Sequence, residues 1–357
     1  MKTALRSVAA RSPPISSPKS TNYFHRCRRH SIANRTFVSL RRAAAVSFLL
    51  VPSNYSSWCQ AFPSQQQSHR TFFSFGMSTH VTERDGSGTI TVSPKNEADQ
   101  NGLIVICHGL GDTGEGFADV AEQFASQMPH LKFVLPTAPT QPVTMNMGMP
   151  MPSWYDIVGL DERSNENCKG IEQSQDRIKA ILQKEHEETG LPYSRMLLAG
   201  FSQGGALSLF TGLQLEEQLA GIIVWSGYLP AASKLQLKQP NTKIWHGHGT
   251  QDPLVQYAMA EKTKYMLLEK GLKDYDLHSY PIPHTVSPAE LREAMQFLLS
   301  VLPPDESFKV QLKDPSSMSI KELKGAIRKA GLGNKAVGLM EKAEFVKLLQ
   351  DHRAGKL

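Results

Sequence analysis

The sequence predicts an α/β architecture: a mostly parallel central sheet with helices on both faces, followed by a small all-α module. Three observations predict it. Short β-branched or leucine-rich runs alternate along the chain with segments of helical periodicity, the pattern of a parallel sheet wrapped by helices. The run 103–107 is continuously apolar, as expected of a strand buried on both faces. Finally, Pro303-Pro304 closes the last such unit before a polar stretch and a new helix-capping signal.

Taken in order, residues 89–92 are expected to form a first edge strand and residues 103–107 a buried strand. His108-Gly-Leu-Gly-Asp-Thr-Gly114 is a glycine-rich loop, after which Phe117, Val120 and Phe124 mark one face of a helix. A strand over 131–135 ends at Pro136, and residues 136–155 read as a long Pro- and Met-rich connection without regular structure. A helix over about 171–187 turns Ile171, Ile178, Ile181 and Leu182 inward. The apolar run 196–199 is a strand, Ser202 sits on a sharp turn, and a helix starts near Gly204 and runs to about Gln214. Strands follow at 221–225, 242–245 and 276–280, with a helix over about 255–270. Ser287-Pro-Ala-Glu290 is a capping box with proline at the first helical position, opening a helix to Leu302.

Residues 305–318 read as a polar linker. Ser319-Ile-Lys-Glu322 is a second capping box, with Leu323 and Ile327 on one face. Residues 331–339 form a loop, and a helix over 341–352 turns Phe345, Leu348 and Leu349 inward. A unit of this size is marginal on its own. It resembles SAP-like modules, some of which bind DNA and others protein. From Asp305 onward there are eleven basic and seven acidic residues, so a protein partner is expected ahead of nucleic acid, with an inert appendage as the alternative.

The formal charge of +6 is unevenly placed. Residues 1–76 hold eleven Lys and Arg and no Asp or Glu, which leaves 28 of the 39 basic residues against all 33 acidic ones, a net of −5. The body of the chain gives no sign of a nucleic-acid face. The first 76 residues have the composition of a targeting leader rather than a packed domain. Within it, residues 43–51 form an apolar stretch too short to span a bilayer, and Cys59-Gln-Ala-Phe-Pro63 resembles a plastid-leader cleavage context. A used leader implies a plastid or mitochondrion, whereas a start at Met77 implies the cytoplasm. The expected divisions are a leader over 1–76, a catalytic domain over 77–304, the linker 305–318 and the module 319–353. Cys27, Cys59, Cys107 and Cys168 form no Cys-x-x-Cys pair, and histidines do not cluster at metal-ligand spacing. Neither a disulfide framework, a metal nor a cofactor is therefore expected.

The chemistry centres on Gly200-Phe-Ser-Gln-Gly204. A serine at the tip of a strand-to-helix turn needs neighbours nearly free of side chains at minus two and plus two. A hydroxyl is a poor nucleophile until a base takes its proton, and that base needs an orienting acid. Downstream of Ser202, His284 lies in Pro-Ile-Pro-His-Thr, after a strand and before a capped helix, and is the expected base. His246, His248 and His278 lie in or beside strands and read as structural. Asp252, in the loop leaving a strand, is the expected acid, because Asp274 and Asp276 precede theirs. The oxyanion calls for two amides, expected from Gln203 and from Leu110 in the His-Gly-Leu-Gly loop. Phosphate cradling by that loop fails for want of a Walker lysine. Met147, Met149, Met151 and Trp154 supply pliable apolar surface suited to an acyl chain, although capping the core would use the same residues.

Together, His108-Gly-Leu-Gly-Asp-Thr-Gly114, Met151-Pro-Ser-Trp-Tyr-Asp156, Gly200-Phe-Ser-Gln-Gly-Gly205, Asp252-Pro-Leu-Val255 and His284 resemble the acyl-protein thioesterases, in the lysophospholipase/carboxylesterase group of α/β-hydrolases. The resemblance covers roughly residues 101–304. It implies an α/β-hydrolase fold with Ser202 as nucleophile, His284 as general base, Asp252 as orienter, and Leu110 and Gln203 as oxyanion donors. It also implies hydrolysis of fatty-acyl thioesters or esters, including palmitoyl-cysteine on proteins, with acylated protein or lipid ester as the partner. Small or lysophospholipid esters are the alternative substrates, and a binding protein on the same fold is the non-catalytic one. Peripheral membrane contact is compatible with this reading. Both ends of the chain depart from the usual single-domain form.

Overall fold

A computed structural model describes residues 79–161, 166–308, 310 and 312–357. The expected leader, with Cys27, Cys59 and Met77, lies outside the described residues.

Ten strands form among the described residues: β1 His80–Arg84, β2 Ile90–Pro94, β3 Gly102–Cys107, β4 Leu131–Leu135, β5 Thr140–Val143, β6 Met149–Pro152, β7 Met196–Phe201, β8 Gly221–Trp225, β9 Ile244–Gly249 and β10 Tyr275–Tyr280. The helices are α1 Ala118–Gln127, α2 Ile171–Thr189, α3 Gln203–Gly212, α4 Tyr257–Glu269, α5 Pro288–Val301, α6 Ile320–Lys329 and α7 Lys342–Arg353. Eight strands make one sheet in the order β1-β2-β4-β3-β7-β8-β9-β10. From β4 to β10 every pairing is parallel, while β2 runs antiparallel to both β1 and β4.

Alternation along the central strands divides the core in two. Leu103, Val105 and Cys107 of β3, with Met196 and Leu198 of β7 and Ile222 and Val224 of β8, pack with Ile171, Ile178 and Leu182 of α2, Leu207 of α3 and Leu267 of α4. Ile104, Ile106, Leu197, Ala199, Ile223 and Trp225 point the other way, toward Ala121 and Phe124 of α1 and Ala294 and Leu298 of α5. Both faces are apolar because both are covered, which is why these runs show no polar alternate.

Three expectations change. The edge strand β1 escaped notice because His-Val-Thr-Glu-Arg carries little apolar signal. Residues 136–155 are not structureless, since β5 and β6 pair antiparallel, with Thr140 opposite Pro152 and Val143 opposite Met149. Prolines disguised this hairpin, yet as a two-stranded ribbon it can place them where no ladder amide is needed. The stretch after Pro304 is no free linker. The Phe308 ring lies 5.4 Å below the buried Arg195 guanidinium, and the buried Val310 donates its amide to the Gln100 carbonyl.

The C-terminal helices α6 and α7 enclose their own small core of Leu323, Ile327, Phe345 and Leu349. Both capping-box serines, Ser287 and Ser319, cap as their spacing predicts. His352 bonds the Lys95 carbonyl and Arg353 meets Glu97. Lys95 follows the antiparallel β2 and Gln100 precedes β3. This seat is therefore at the N-terminal ends of the parallel strands, opposite to the turn that holds Ser202.

Candidate active site

Ser202 sits between the central strand β7 and helix α3, with φ 53° and ψ −118°, a conformation that L residues adopt only when their surroundings enforce it. The flanking glycines show why. A β-carbon on Gly200 would come within 2.3 Å of the Gly204 carbonyl carbon, and one on Gly204 within 2.1 Å of the Cys107 carbonyl oxygen. Strand β3 and helix α3 therefore touch through backbone alone, and the turn is squeezed tightly enough to lift Ser202 out.

His284 Nε2 lies 3.0 Å from Ser202 Oγ, and its Nδ1 lies 2.5 Å from Asp252 Oδ2. Asp252 Oδ1 accepts the amides of Leu254 and Val255, both at 2.9 Å, so the carboxylate is fully engaged and its side chain fully buried. The loops carrying acid and base are stitched together by Gln251 N–H to the Ile282 carbonyl and Thr250 N–H to the Tyr280 carbonyl. Beneath the base, the rings of Phe201 and His284 stand 4.7 Å apart. The structure thus brings Ser202, His284 and Asp252, from the ends of β7, β10 and β9, into one hydrogen-bonded line.

The His-Gly-Leu-Gly loop borders the same point, since a β-carbon on Gly109 would meet Ser202 Cβ at 3.6 Å. The Gly111 and Asp112 amides are committed to the Pro152 and Gly109 carbonyls, whereas Gly109 and Leu110 have no such backbone bond among the described residues. The Gln203 amide is the first of α3 and has no acceptor within the helix. The loop is braced from behind by His108. Its Nε2 accepts the Ala138 amide, so Nδ1 is the protonated nitrogen and donates to the Gly109 carbonyl. Burial holds this imidazole below its ordinary pKa, which keeps that tautomer neutral.

The predicted apolar wall divides. Met147 and Met149 are exposed on the hairpin, at 84% and 52%. Met151 is half-buried against the Gly111 loop, with its sulfur 3.7 Å from where a Gly111 β-carbon would stand. Trp154 does not belong to the wall. It is wholly buried, its indole N–H donates to the His108 carbonyl, and its amide donates to Gln203 Oε1. A polar N–H on a large ring found its partner inside, so the residue supports the loop from below.

Two roles were missed by sequence reasoning. The Gln203 side chain donates to the Tyr155 carbonyl while accepting from Trp154, clamping the segment after β6 to the serine turn. Its signal in the sequence is its place within the Gly-x-Ser-x-Gly motif, directly after the nucleophile. His246 and His248 lie inside β9, whose strand runs on to Gly249, and His248 Nε2 stands 3.7 Å from Asp252 Oδ2. Neither Cys107 nor Cys168 is in a disulfide, both are buried, and burial pushes the Cys107 thiol up to about 12. Among the described residues there is no group of His, Cys, Asp or Glu that could hold a metal, and no helix long and apolar enough to cross a membrane.

The sequence profile of the phospholipase/carboxylesterase family matches residues 88–302. Acyl-protein thioesterase 1 of Mycosarcoma maydis is 40% identical over 234 residues, which cover 60% of this chain and 97% of that one. Among solved structures, SOBER1 of Arabidopsis thaliana superposes with a TM-score of 0.51 at 29% identity, covering 56% of this chain and 99% of that one. Acyl-protein thioesterase 2 of Zea mays does so with a TM-score of 0.50 at 25% identity, covering 60% and 98%.

Proposed function

Because the chain belongs to the phospholipase/carboxylesterase family of α/β-hydrolases, we propose that it is a serine hydrolase that cleaves fatty-acyl thioesters, with palmitoyl-cysteine on proteins as the substrate class. The observation that carries the chemistry is the line Ser202 Oγ, His284 Nε2, His284 Nδ1, Asp252 Oδ2, at 3.0 and 2.5 Å. Both separations lie within the reach that proton transfer needs.

The steps follow from these positions. Ser202 Oγ attacks the acyl carbonyl as its proton passes to His284 Nε2, and Asp252 stabilises the imidazolium and keeps Nδ1–H aimed away. The carbonyl oxygen becomes an oxyanion facing the amides of Gln203 and Leu110. His284 returns the proton to the departing sulfur as the C–S bond breaks, leaving an acyl-serine and a free thiol. Water, deprotonated by the same imidazole, then releases the fatty acid and restores Ser202. Met151 packs against the Gly111 loop, and with Met147 and Met149, exposed on the same hairpin, it supplies adaptable apolar surface for the chain.

The acyl-thioester reading is favoured by relatives named for that activity. Lysophospholipid and simple carboxylic esters remain competitors on the same residues, and the C-terminal module is assigned to a protein partner. Labelling by a fluorophosphonate that vanishes in Ser202→Ala tests the nucleophile. Comparing a palmitoylated cysteinyl peptide with lysophosphatidylcholine tests the substrate. Absence of labelling in the unaltered chain sinks the catalytic reading, and faster turnover of the lysolipid replaces the thioester one.

A further inference from the structure

Behind Asp252 runs a buried row of three side chains that the steps above do not use. His246 and His248, both wholly buried, point to the same side of β9, and Tyr275 opens the neighbouring β10. The contacts are Tyr275 Oη to His246 Nδ1 at 2.7 Å, His246 Nε2 to His248 Nδ1 at 3.1 Å, and His248 Nε2 to the Val255 carbonyl at 2.7 Å. His248 Nε2 also stands 3.7 Å from Asp252 Oδ2.

Donor logic fixes every proton in this row. A carbonyl only accepts, so His248 Nε2 carries hydrogen and, in the neutral ring, Nδ1 is bare. His246 Nε2 must then donate to it, which leaves His246 Nδ1 bare to accept the Tyr275 hydroxyl. A single arrangement satisfies all three groups. It ends on Val255, whose amide donates to Asp252 Oδ1. The short loop from Asp252 to Val255 is thus gripped at its amides by the acid and at its carbonyl by His248.

We propose that His246 and His248 are positioning residues for the reaction, a tautomer-locked chain from Tyr275 that fixes the Asp252 loop and so the aim of His284. This rests on the catalytic reading of Ser202, His284 and Asp252. Reversing the chain would turn a bare His248 Nε2 toward both the Val255 carbonyl and the Asp252 carboxylate, leaving three acceptors face to face. Burial lowers the pKa of both imidazoles, His246 well below its ordinary value, so the neutral pair persists. The titratable groups around the pair are Tyr275, Asp252 and His284, with His278 on the paired strand β10 and Tyr257 edge-on to His248.

The test measures kcat and KM on a soluble thioester, thermal unfolding, and the ¹⁵N shifts of the imidazoles in the full chain. His246→Leu is expected to lower kcat by about tenfold, the lower end of what losing an outer orienting partner costs. KM is expected to hold, because substrate does not touch this row. His246→Gln can still donate to His248 and accept from Tyr275, and should recover most of the loss. Tyr275→Phe removes one hydroxyl and carries the test should His246→Leu not fold. It is expected to lower kcat roughly threefold, about one net hydrogen bond. The His248 ¹⁵N shifts should show a protonated Nε2 in the unaltered chain and in Tyr275→Phe alike, because the Val255 carbonyl holds that proton in both. Unchanged kcat in these variants, with or without a fall in thermal stability, overturns the proposal, as does a His248 protonated at Nδ1. The shifts are read without turnover, so they stand apart from the outcome of fluorophosphonate labelling.

Discussion

Phe201 and His284 belong to different strand ends, yet their rings meet at 4.7 Å, so the residue beside the nucleophile forms the seat of the base. The Phe201 ring is itself backed by Phe117, which stacks on Trp225. Rotation of His284 away from Ser202 therefore requires leaving an aromatic contact as well as the Asp252 bond. Phe201→Ala is expected to lower kcat roughly two- to tenfold, the factor that matches the worth of an aromatic pair. KM for a soluble ester should change little, and steady-state kinetics checks both.

The contact between α3 and β3 at Gly204 allows no side chain. Gly204→Ala would force a methyl to within 2.1 Å of the Cys107 carbonyl oxygen, where backbone on both sides prevents relief. The expected cost is about 1–3 kcal/mol or more from overpacking, together with loss of the strained Ser202 conformation. Fluorophosphonate labelling should fall below detection while circular dichroism still reports folded protein. Undiminished labelling would remove the steric account of the turn.

Much of this was legible beforehand because local and global signals agree. The bounds of β4 and β8 match the expected strands residue for residue, and β8, covered on both faces, carries an unbroken apolar run. Ser202, Asp252 and His284 were readable because each leaves a strand at the same sheet edge, and an alternating βα chain puts those exits together. What escaped depends on partners far away in sequence. Trp154 reads as apolar surface until its N–H is seen on the His108 carbonyl. His246 and His248 look like strand filler until β10 delivers Tyr275 beside them. The β5–β6 hairpin hid because Pro142, Pro150 and Pro152 argue against strands wherever the pairing partner is unknown.

The exposed tip of that hairpin offers a test of chain-length preference. Met147 and Met149 lie outside the core, so replacing them removes apolar surface without opening a cavity. Met147→Ser combined with Met149→Ser is expected to lower kcat/KM on a palmitoyl thioester about tenfold, a partial share of what burying methionine is worth. Turnover of an acetyl ester should stay near normal. A series of acyl lengths checks it, and a uniform loss at every length would mean the hairpin does not contact the chain.

Stability should fall on the acid side of neutrality. His80, His108, His130, His246 and His248 are all held below their ordinary value, each chiefly by burial. As pH falls through about 6.5, the unfolded chain takes up protons that the folded one refuses, so these groups favour unfolding. Glu290 works in the opposite direction. Burial pushes its carboxyl up to about 7, so below that pH the folded state holds a proton more readily than the unfolded one. Five imidazoles outweigh one carboxyl, and the urea midpoint is expected to be lower at acid pH than at neutral pH. Glu290→Gln should leave a steeper decline, because the opposing proton is gone.

The seat of the C-terminal helices separates two truncations that the sequence alone would treat alike. Helices α6 and α7 attach near Lys95 and Glu97, at the end of the sheet away from Ser202, through partly exposed contacts worth about 1 kcal/mol or less. Ending the chain after Asp314 is therefore expected to preserve kcat on soluble esters and most of the stability. Ending it after Pro304 also removes Phe308 from Arg195 and Val310 from its buried place. Arg195 holds Asn101 and the Pro303 carbonyl from inside the fold, so its guanidinium would lose its cover while staying buried on its other sides. That cut should cost roughly 2–4 kcal/mol, from a buried valine and a cation–π contact. Urea unfolding of the two truncated chains measures the difference. Equal midpoints would show that residues 305–314 contribute nothing to the sheet domain, and loss of kcat in the longer chain would tie the helices to the reaction.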